Sequence, residues 1–402
     1  MLSLSEAIDR LLASTEPLRE HEQIASFDAL GRTLAQDVTS AIDVPPLDNT
    51  SMDGYAVRAA DVPAAGTRLR VAQRIAAGQV GQVLEPGTAA RIFTGAPVPE
   101  GADAIVMQEQ CEAADGFVRI DAVPESGQWI RRRGEDVRRG SVVLARGAAL
   151  TPQALGLAAS VGAAQLSVLR RTRVALFSTG DELVMPGEPL KPGAIYNSNR
   201  FTLRALLQGL GCEVSDLGIV PDRLDATREA LRRAAEGHDL ILTSGGVSVG
   251  EEDHLRPAVQ AEGRIDLWQI AIKPGKPLAF GEVRTSGERG ALFIGLPGNP
   301  VSSFVTFLVA VRPVLMTLQG RAYVQPRGIE LRAGFDWPRP DRRREFLRAR
   351  CAADGSLELF PNQSSGVLTS CVWAEGLVDN PPGQAIARGD TVRFLPFCEL
   401  MS

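Results

Sequence analysis

The sequence predicts a multi-domain protein in which a central α/β domain with a mostly parallel sheet lies between β-rich regions. The chain has 402 residues, which is too long for one ordinary hydrophobic core. Apolar strand patterns alternate with helical patterns from Arg173 to Gly320, and this alternation is typical of a sheet covered by helices on both faces. Short apolar runs separated by glycine and proline turns flank this region and indicate β-rich modules.

The N-terminal elements follow from local patterns. Residues 1–37 are predicted to form a helix that begins near Ser3, with apolar residues at helical spacing. A β-rich domain is predicted over 46–140. Residues 151–162 are predicted to form a helix with Pro152 at an early position. The segments 1–45 and 141–170 together are assigned to an N-terminal helical linker domain.

The α/β domain is assigned to residues 171–320. Its strand and helix patterns end in a long predicted helix from Pro300 to Leu318, with Asn299 as a candidate N-cap. Residues 321–402 return to short strands between glycine and proline turns, which predicts a small β-barrel-like C-terminal domain.

Composition narrows the classes of function. A net charge of −5 and 5% aromatic residues argue against a basic nucleic-acid surface with stacking platforms. Five cysteines without a C-x-x-C pair and three histidines argue against a zinc site and fit a reduced, cytoplasmic protein. The N-terminus lacks a signal-peptide pattern, and Arg312 and Pro313 interrupt the longest apolar stretch, so no membrane segment is predicted.

Three predicted strand ends share an unusual chemistry. The stretches "FSTGDEL" (177–183), "LTSGGVSVG" (242–250) and "IGLPGNPVSS" (294–303) each join an apolar strand to a glycine turn with hydroxyls or amides. Ligands of open α/β sheets bind beyond the carboxyl ends of the strands, and glycine turns beside helix N-termini suit phosphate. The alternative is that each turn only connects a strand to a helix. The candidate ligand-binding residues are Thr179, Gly180, Ser244, Gly245, Gly246, Ser248, Gly250, Pro297, Gly298, Asn299 and Pro300.

Acidic residues crowd the same predicted edge. They would repel an anionic ligand unless a cation lay between them, and Mg²⁺ commonly bridges carboxylates and phosphates. The turn "IKPGKP" (272–277) adds Lys273 and Lys276 as candidate phosphate partners. For Glu251 and Glu252 individually, a solvated loop is the simpler interpretation. The acidic residues are Asp181, Glu182, Asp222, Glu251, Glu252 and Asp253.

The β-rich region contains a second group of unusual stretches. They are "PPLDNTSMDGYAVRAAD" (45–61), "RIFTGAPVPEGAD" (91–103) and "RRRGEDVRRG" (131–140). Without a ligand they would be an Asx-rich turn, a Pro/Gly turn and a solvated charge run. The sequence alone leaves open whether these stretches meet the α/β edge, in one subunit or across a dimer. A P-loop, a strand-end G-x-G-x-x-G and a nucleophile elbow are not found.

The ordered motifs resemble those of molybdopterin molybdenumtransferases, the family that includes the C-terminal domain of gephyrin. The resemblance covers essentially the whole chain, and its motifs are "NTSMDGYAVR", "RIFTGAPVPEGAD", "GEDV", "STGDEL", "LTSGGVSVGEEDH", "IKPGKP" and "GLPGNPVSS". It implies that molybdate and adenylylated molybdopterin bind, that the adenylyl phosphoanhydride is cleaved with Mg²⁺, and that AMP and molybdenum cofactor are released. It also implies a homodimer, joined through the linker domain, in which each site combines the α/β domain of one subunit with the β-rich domain of the other.

The resemblance assigns roles residue by residue. Catalytic roles pass to Asp53, Thr94, Asp136, Glu182, Asp222, Asp253 and Lys273, and metal binding to Glu182, Asp222 and Asp253. Lys276 and the glycine turns match the pterin-phosphate side, and Arg348 and Ser365 match more loosely. Some relatives carry a basic residue where this chain has Gln269, which puts affinity in question, not reaction type.

Two other functions remain possible at this stage. The related enzyme that adenylylates molybdopterin shares the α/β domain, but normally lacks both the long β-rich region and the C-terminal domain. A non-catalytic scaffold, a role that gephyrin also has, could lose its acidic residues, whereas Asp53, Asp136, Glu182 and Asp253 are all present here.

Overall fold

The N-terminal helix is shorter than predicted. A computed structural model describes residues 1–247, 254–287, 290–322 and 324–401. Helix Leu4–Ala13 begins at Ser3 with a capping box, in which the Glu6 amide donates to Ser3 Oγ and the Ser3 amide donates to Glu6 Oε2. Its apolar face packs into the core of the α/β region.

The prediction of a helix over residues 1–37 was wrong beyond this point. Pro17 interrupts the pattern, and His21–Ala25 is a strand that pairs antiparallel with Gln165–Leu169. A 3₁₀ turn, Ser26–Asp28, follows. Helix Pro152–Ser160 begins as predicted, with Thr151 as its N-cap and proline at its first position.

The following region is β-rich, as predicted. A mixed sheet joins six strands in the spatial order Ala104–Met107, Gly54–Val57, Thr88–Ile92, Thr67–Ile75, Phe117–Ile120 and Cys111–Ala114. Two short pairs flank this sheet, formed by Asn49–Thr50 with Ile130–Arg131 and by Val38–Thr39 with Val142–Leu144. Two 3₁₀ turns lie at Ala59–Asp61 and Gln108–Gln110.

The central sheet has the mostly parallel order predicted. Among the described residues it contains, in spatial order, Glu213–Val220, Arg173–Thr179, Leu240–Ser244, Ala291–Leu296, Pro277–Val283 and Gly263–Gln269. The first four strands are parallel, and the last two form an antiparallel edge. Two apolar clusters show that helices cover both faces. Those helices are Ser198–Gly209, Leu224–Ala235, Leu255–Glu262 and the segment 300–318.

The segment 300–318 is helical throughout but not uniform. It consists of Pro300–Thr306, a π-helical turn Phe307–Val311, and Arg312–Leu318. Asn299 occupies the N-cap position, but its side chain makes no capping hydrogen bond, so the predicted side-chain cap is wrong. This segment is long and apolar enough to cross a membrane, yet 94% of its apolar window is buried inside the protein, as expected of a core helix.

The C-terminal region forms a sheet that also takes in a piece of the α/β region. Ile272–Lys273 pairs in parallel with the start of strand Arg344–Cys351. A neighbouring pair of strands, Leu183–Val184 and Ile195–Tyr196, lies beside the central sheet. Helices Thr369–Trp373 and Phe397–Leu400 complete the region. The remaining strands of the C-terminal sheet are Ile329–Arg332, Leu357–Leu359, Gly376–Asn380 and Thr391–Pro396.

Candidate functional site

A cleft lies at the carboxyl ends of the parallel strands. Its volume is about 1010 Å³, enough for a ligand larger than a single nucleotide. Residues of the C-terminal region, from Arg343 and from 363–366, form one of its walls. The residues predicted from sequence that line it are Thr179, Gly180, Glu182, Asp222, Ser244, Gly245, Gly246, Lys273, Lys276, Pro297, Gly298, Asn299, Pro300 and Ser365.

The glycine turns at these strand ends approach one another closely. Gly245 has φ +89°, and a Cβ there would lie 2.5 Å from the carbonyl oxygen of Thr179. A Cβ on Gly298 would lie 3.9 Å from the Cα of Gly245. The first two predicted turns therefore touch, and the third adjoins them. Bare backbone at this junction leaves room for a ligand to reach the peptide groups.

Hydroxyl groups at the same junction are buried. Ser178 Oγ and Ser244 Oγ lie 3.1 Å apart. Thr179 lines the cleft, is 5% exposed, and its Oγ1 has no hydrogen-bond partner within the described part of the chain. A buried hydroxyl without a partner has unused hydrogen-bonding capacity, so Thr179 fits a polar ligand.

Two of the three predicted metal-binding carboxylates share the cleft. Glu182 is exposed and Asp222 is half-buried. The Asp222 amide donates to Asp181 Oδ1 at 3.2 Å, which links the two acidic turns. Asp253, Ser248 and Gly250 lie outside the described residues. In the ranges that the structure describes, no group of three or more His, Cys, Asp or Glu is arranged to hold a metal ion.

Lys273 is engaged by the C-terminal region. Its Nζ lies 3.1 Å from Glu345 Oε1 and 3.5 Å from Asp341 Oδ2. Arg343, which also lines the cleft, makes two hydrogen bonds to Asp341 through its guanidinium. The Arg343 side chain and backbone hold the pKa of Asp341 below its usual range, although partial burial opposes this.

The acidic partners of Lys273 and the place of Arg343 at the cleft were not predicted from the sequence. Lys276 is exposed, and its role as a phosphate partner stays a prediction. The rarity of lysine is a compositional signal that draws attention to this turn. The chain contains three lysines among 43 lysine and arginine residues. Lys273 and Lys276 are two of the three, and both line the cleft.

The C-terminal wall also covers the start of the core helix. The amide of Val301 donates to the carbonyl oxygen of Ser365 at 3.0 Å. Gln363 lines the cleft and is held by both backbone groups of Arg348, at 2.9 and 3.0 Å. Ser365 therefore lines the cleft and also, through its carbonyl oxygen, accepts a hydrogen bond from the first turn of the core helix.

Arg348 lies behind this wall. It is 1% exposed and donates to Ser370 Oγ and to the carbonyl oxygen of Phe346. Burial lowers the pKa of Arg348 to about 10. Its connection to the cleft runs through Gln363, so a direct contact of Arg348 with a ligand stays a prediction.

The N-terminal motifs are brought together away from the cleft of their own chain. Asp53 Oδ1 accepts hydrogen bonds from the Thr94 amide and from Thr94 Oγ1, both at 2.7 Å. These bonds hold the pKa of Asp53 below its usual range. The backbone joins the two motifs through Thr50 and Gly95. Among the described residues, none of Asp53, Thr94 and Asp136 lines the cleft.

The arginine run around Asp136 is anchored, in contrast to a freely solvated charge run. Asp48 accepts from the Arg132 guanidinium and from the Arg133 amide, both at 2.7 Å. Asp43 accepts from the Arg133 side chain at 2.6 Å and from the Arg139 amide at 2.8 Å. Asp136 itself is exposed, and its amide donates to the carbonyl oxygen of Val44 at 3.1 Å.

Comparisons with known proteins cover almost the whole chain. Residues 2–162 match the description "MoeA N-terminal region (domain I and II)", residues 175–317 "Probable molybdopterin binding domain", and residues 330–397 "MoeA C-terminal region (domain IV)". A molybdopterin molybdenumtransferase of Haemophilus influenzae is 46% identical over 323 residues, covering 80% of this chain and 78% of that protein. One from Synechococcus elongatus is 37% identical over 394 residues, covering 96% of each.

The fold comparison agrees. A crystal structure of the molybdopterin biosynthesis protein MoeA from Pyrococcus horikoshii matches with a TM-score of 0.85 and 28% identity, covering 98% of this chain and 100% of that one. The matched segments include the three strand-end turns, the β-rich motifs and the C-terminal wall described above. The chain belongs to the molybdopterin molybdenumtransferase family.

Proposed function

We propose that this chain transfers molybdenum from molybdate to the dithiolene of adenylylated molybdopterin, with hydrolysis of the adenylyl phosphoanhydride and release of AMP. The observation that supports this proposal is the composition of the cleft. It is lined by the glycine-turn junction, by Lys273 and Lys276, and by the carboxylates of Glu182 and Asp222. Such a site offers backbone groups and cations to phosphates, and oxygen ligands to a cation that accompanies them.

Each group has a distinct task in this proposal. The Gly245–Gly246 turn and the Thr179 hydroxyl hold phosphate oxygens of the pterin substrate. Lys273 and Lys276 compensate the charge on the phosphoanhydride while its bond breaks. In the part of the chain that is described, no cysteine or histidine lines the cleft, so positioning and charge stabilisation, without a covalent enzyme intermediate, fit it best.

Mg²⁺ fits the donor set. Glu182 and Asp222 supply carboxylate oxygens, which Mg²⁺ prefers, and phosphate oxygens of the substrate would complete its shell. When bound, the ion neutralises charge that develops on the phosphoanhydride. Asp253 is proposed as a third ligand from its sequence motif alone.

We further propose that the chain acts as a cytoplasmic homodimer. Asp53, Thr94 and Asp136 would complete the cleft of the partner subunit, because they do not line their own. The linker formed by 1–45 with 141–170 exposes Phe27 at 95% and Leu30 at 58%, as expected of a surface that a second copy covers. Three domains would then each contribute one wall or motif to the shared site. They are the β-rich domain 46–140, the α/β domain 171–320 and the barrel-like domain 321–402.

The test is AMP release from adenylylated molybdopterin, with Mg²⁺, in the presence and absence of molybdate. Molybdate-dependent release that is abolished in Glu182→Ala is the expected result. Glu188→Ala alters an exposed acid farther along the same loop and is expected to keep wild-type activity. If wild-type protein binds the substrate but never releases AMP, the transferase proposal fails. An assay of pyrophosphate release from ATP and molybdopterin would then separate an adenylyltransferase from a scaffold.

A further inference from the structure

The lysine that faces the cleft belongs, by its backbone, to the C-terminal sheet. Lys273 is the register partner of Glu345 in a parallel pair of strands. Its side chain is 41% exposed, whereas the side chain of Glu345 is fully buried. The ion pair therefore has a buried acidic end inside the C-terminal region and a solvent-accessible cationic end at the cleft.

Both oxygens of the Glu345 carboxylate accept hydrogen bonds from neighbouring groups in the described part of the chain. Oε1 accepts from Lys273 Nζ at 3.1 Å, while Oε2 accepts from Trp337 Nε1 at 2.8 Å and from the Asp341 amide at 3.1 Å. A longer contact of 3.4 Å joins Oε2 to Asn380 Nδ2. An ionised carboxylate satisfies all these donors because it only accepts.

We propose that Glu345 is the positioning residue for Lys273, and that through it the C-terminal region sets the affinity of the cleft for the phosphates of its substrate. This rests on the proposed function above. Trp337, the Asp341 amide and Asn380 fix the carboxylate, and the carboxylate fixes the direction of the Lys273 stem. A cation held in place costs less conformational entropy on ligand binding than a free lysine side chain.

A neighbouring ion pair provides the comparison. Arg344 precedes Glu345 on the strand, so its side chain points to the opposite face. It pairs with Asp379, whose side chain is 4% exposed, at 2.5 and 2.6 Å. Arg344 and Asp379 line a different, smaller cavity. Asp379 is thus a buried, paired carboxylate in the same sheet that does not face the cleft.

The substitution Glu345→Gln tests the charge and the acceptor positions of this carboxylate without changing the side-chain volume. Both carboxylate oxygens face donors, so the amide nitrogen of glutamine would oppose a donor in either orientation. The substitution keeps the volume but removes the charge and one of the two acceptor positions. Either Lys273 then loses its acceptor on residue 345 and keeps only the longer 3.5 Å contact with Asp341 Oδ2, or Trp337 loses its acceptor.

The first arm of the test compares steady-state kinetics for Glu345→Gln and Asp379→Asn. For Glu345→Gln we expect the KM for adenylylated molybdopterin to rise about tenfold, with kcat changed by less than about threefold, because one charge-assisted contact to the substrate weakens. Asp379→Asn should lower thermal stability without moving KM. Adding Glu345→Gln to a Lys273→Ala chain should have little further effect on the equilibrium affinity for adenylylated molybdopterin, since the two residues act as one unit.

The second arm needs no substrate. The chain contains three lysines, Lys191, Lys273 and Lys276, so an acetylating reagent that reacts with unprotonated amines reports each one by peptide mass. We expect Glu345→Gln to speed labelling of Lys273 several-fold at a given pH, because its amine is released from the 3.1 Å contact with Glu345 Oε1. Lys276 serves as the internal reference, and Asp379→Asn as the matched control.

The two arms separate the two proposals. If wild-type protein releases no AMP, the proposed function fails, and the labelling arm still decides whether Glu345 controls Lys273. Unchanged Lys273 labelling in folded Glu345→Gln protein would overturn the positioning role. So would equal shifts in Glu345→Gln and Asp379→Asn, which would show a general loosening of the C-terminal region.

Discussion

The two acidic regions of this chain differ in how complete they are. At the α/β edge, Glu182, Asp222 and the lysines share one cleft with a glycine-lined floor. In the β-rich region, Asp53 is fixed by two hydrogen bonds from Thr94, yet this pair lies outside the cleft. The proposed site shared between two subunits would give this ordered carboxylate a cleft to line.

The largest effect expected is complementation between two inactive chains. Asp53→Ala and Glu182→Ala should each abolish AMP release. If sites are shared across a dimer, mixing them should restore activity to about a quarter of the wild-type level, because half of the dimers are mixed and each has one intact site. The measurement is AMP release after the two chains are unfolded together and refolded.

The matched control is a mixture of Glu182→Ala with Lys273→Ala, two changes on the same side of the site. It should stay inactive, since each site of the mixed dimer then takes all its cleft residues from one damaged chain. Recovery in that control, or no recovery in the first mixture, would contradict a site divided between these two regions.

The next effect concerns the floor of the cleft. Gly245→Ala adds a Cβ only 2.5 Å from the Thr179 carbonyl oxygen at φ +89°, so the turn must move and the phosphate cradle with it. We expect a loss of stability of at least about 1–3 kcal/mol and a strong loss of substrate affinity. Thermal unfolding and equilibrium binding of adenylylated molybdopterin measure the two.

Gly116→Ala in the β-rich region is the matched control for strain. Its φ is +75°, but a Cβ there meets nothing within 4 Å. It should cost about 1 kcal/mol from the backbone alone and leave binding unchanged. Equal effects of the two substitutions would mean that the close contact at Gly245 is relieved without disturbing the cleft.

A smaller effect tests the ordered carboxylate of the β-rich region. Thr94→Val removes the Oγ1 donor to Asp53 but keeps the amide donor. The pKa of Asp53 should rise towards its ordinary value, so the acid limb of the pH–activity profile should move to higher pH. Stability should depend on pH in the same direction. A carboxyl whose pKa is depressed in the folded state adds stability that is lost as pH falls through that pKa, and Thr94→Val should reduce this contribution. Thr94→Ser keeps a hydroxyl and should leave the limb in place.

The smallest effect expected is a loss of stability that leaves both acidic regions, and therefore activity, unchanged. Ser3→Ala removes the side-chain half of the capping box of helix Leu4–Ala13 and should cost about 1 kcal/mol. Thermal unfolding measures this cost, and AMP release should be unchanged. Ser5→Ala, inside the first turn, is the control and should not destabilise. A loss of activity in Ser3→Ala would link the N-terminal helix to the site.

The sequence predicted the α/β edge well because its signals are local. An apolar strand followed by a glycine turn is readable at 177–183 and 294–303, and parallel strands bring their carboxyl ends to one edge. The ion pair of Lys273 with Glu345 could not be read this way, because 72 residues separate them. The strand His21–Ala25 was missed for the same reason, since its partner strand comes much later in the chain.

The strand Ile272–Lys273 has a consequence for dissecting this protein. It lies in the C-terminal sheet, Phe304 packs edge-on against Phe397 with 5.4 Å between ring centroids, and both rings belong to one continuous core. A protease cut between Gly320 and Ile329 would therefore leave two fragments that elute together. A gene shortened to end near residue 320 would encode an α/β domain with an unpaired strand and an uncovered apolar face, prone to aggregate.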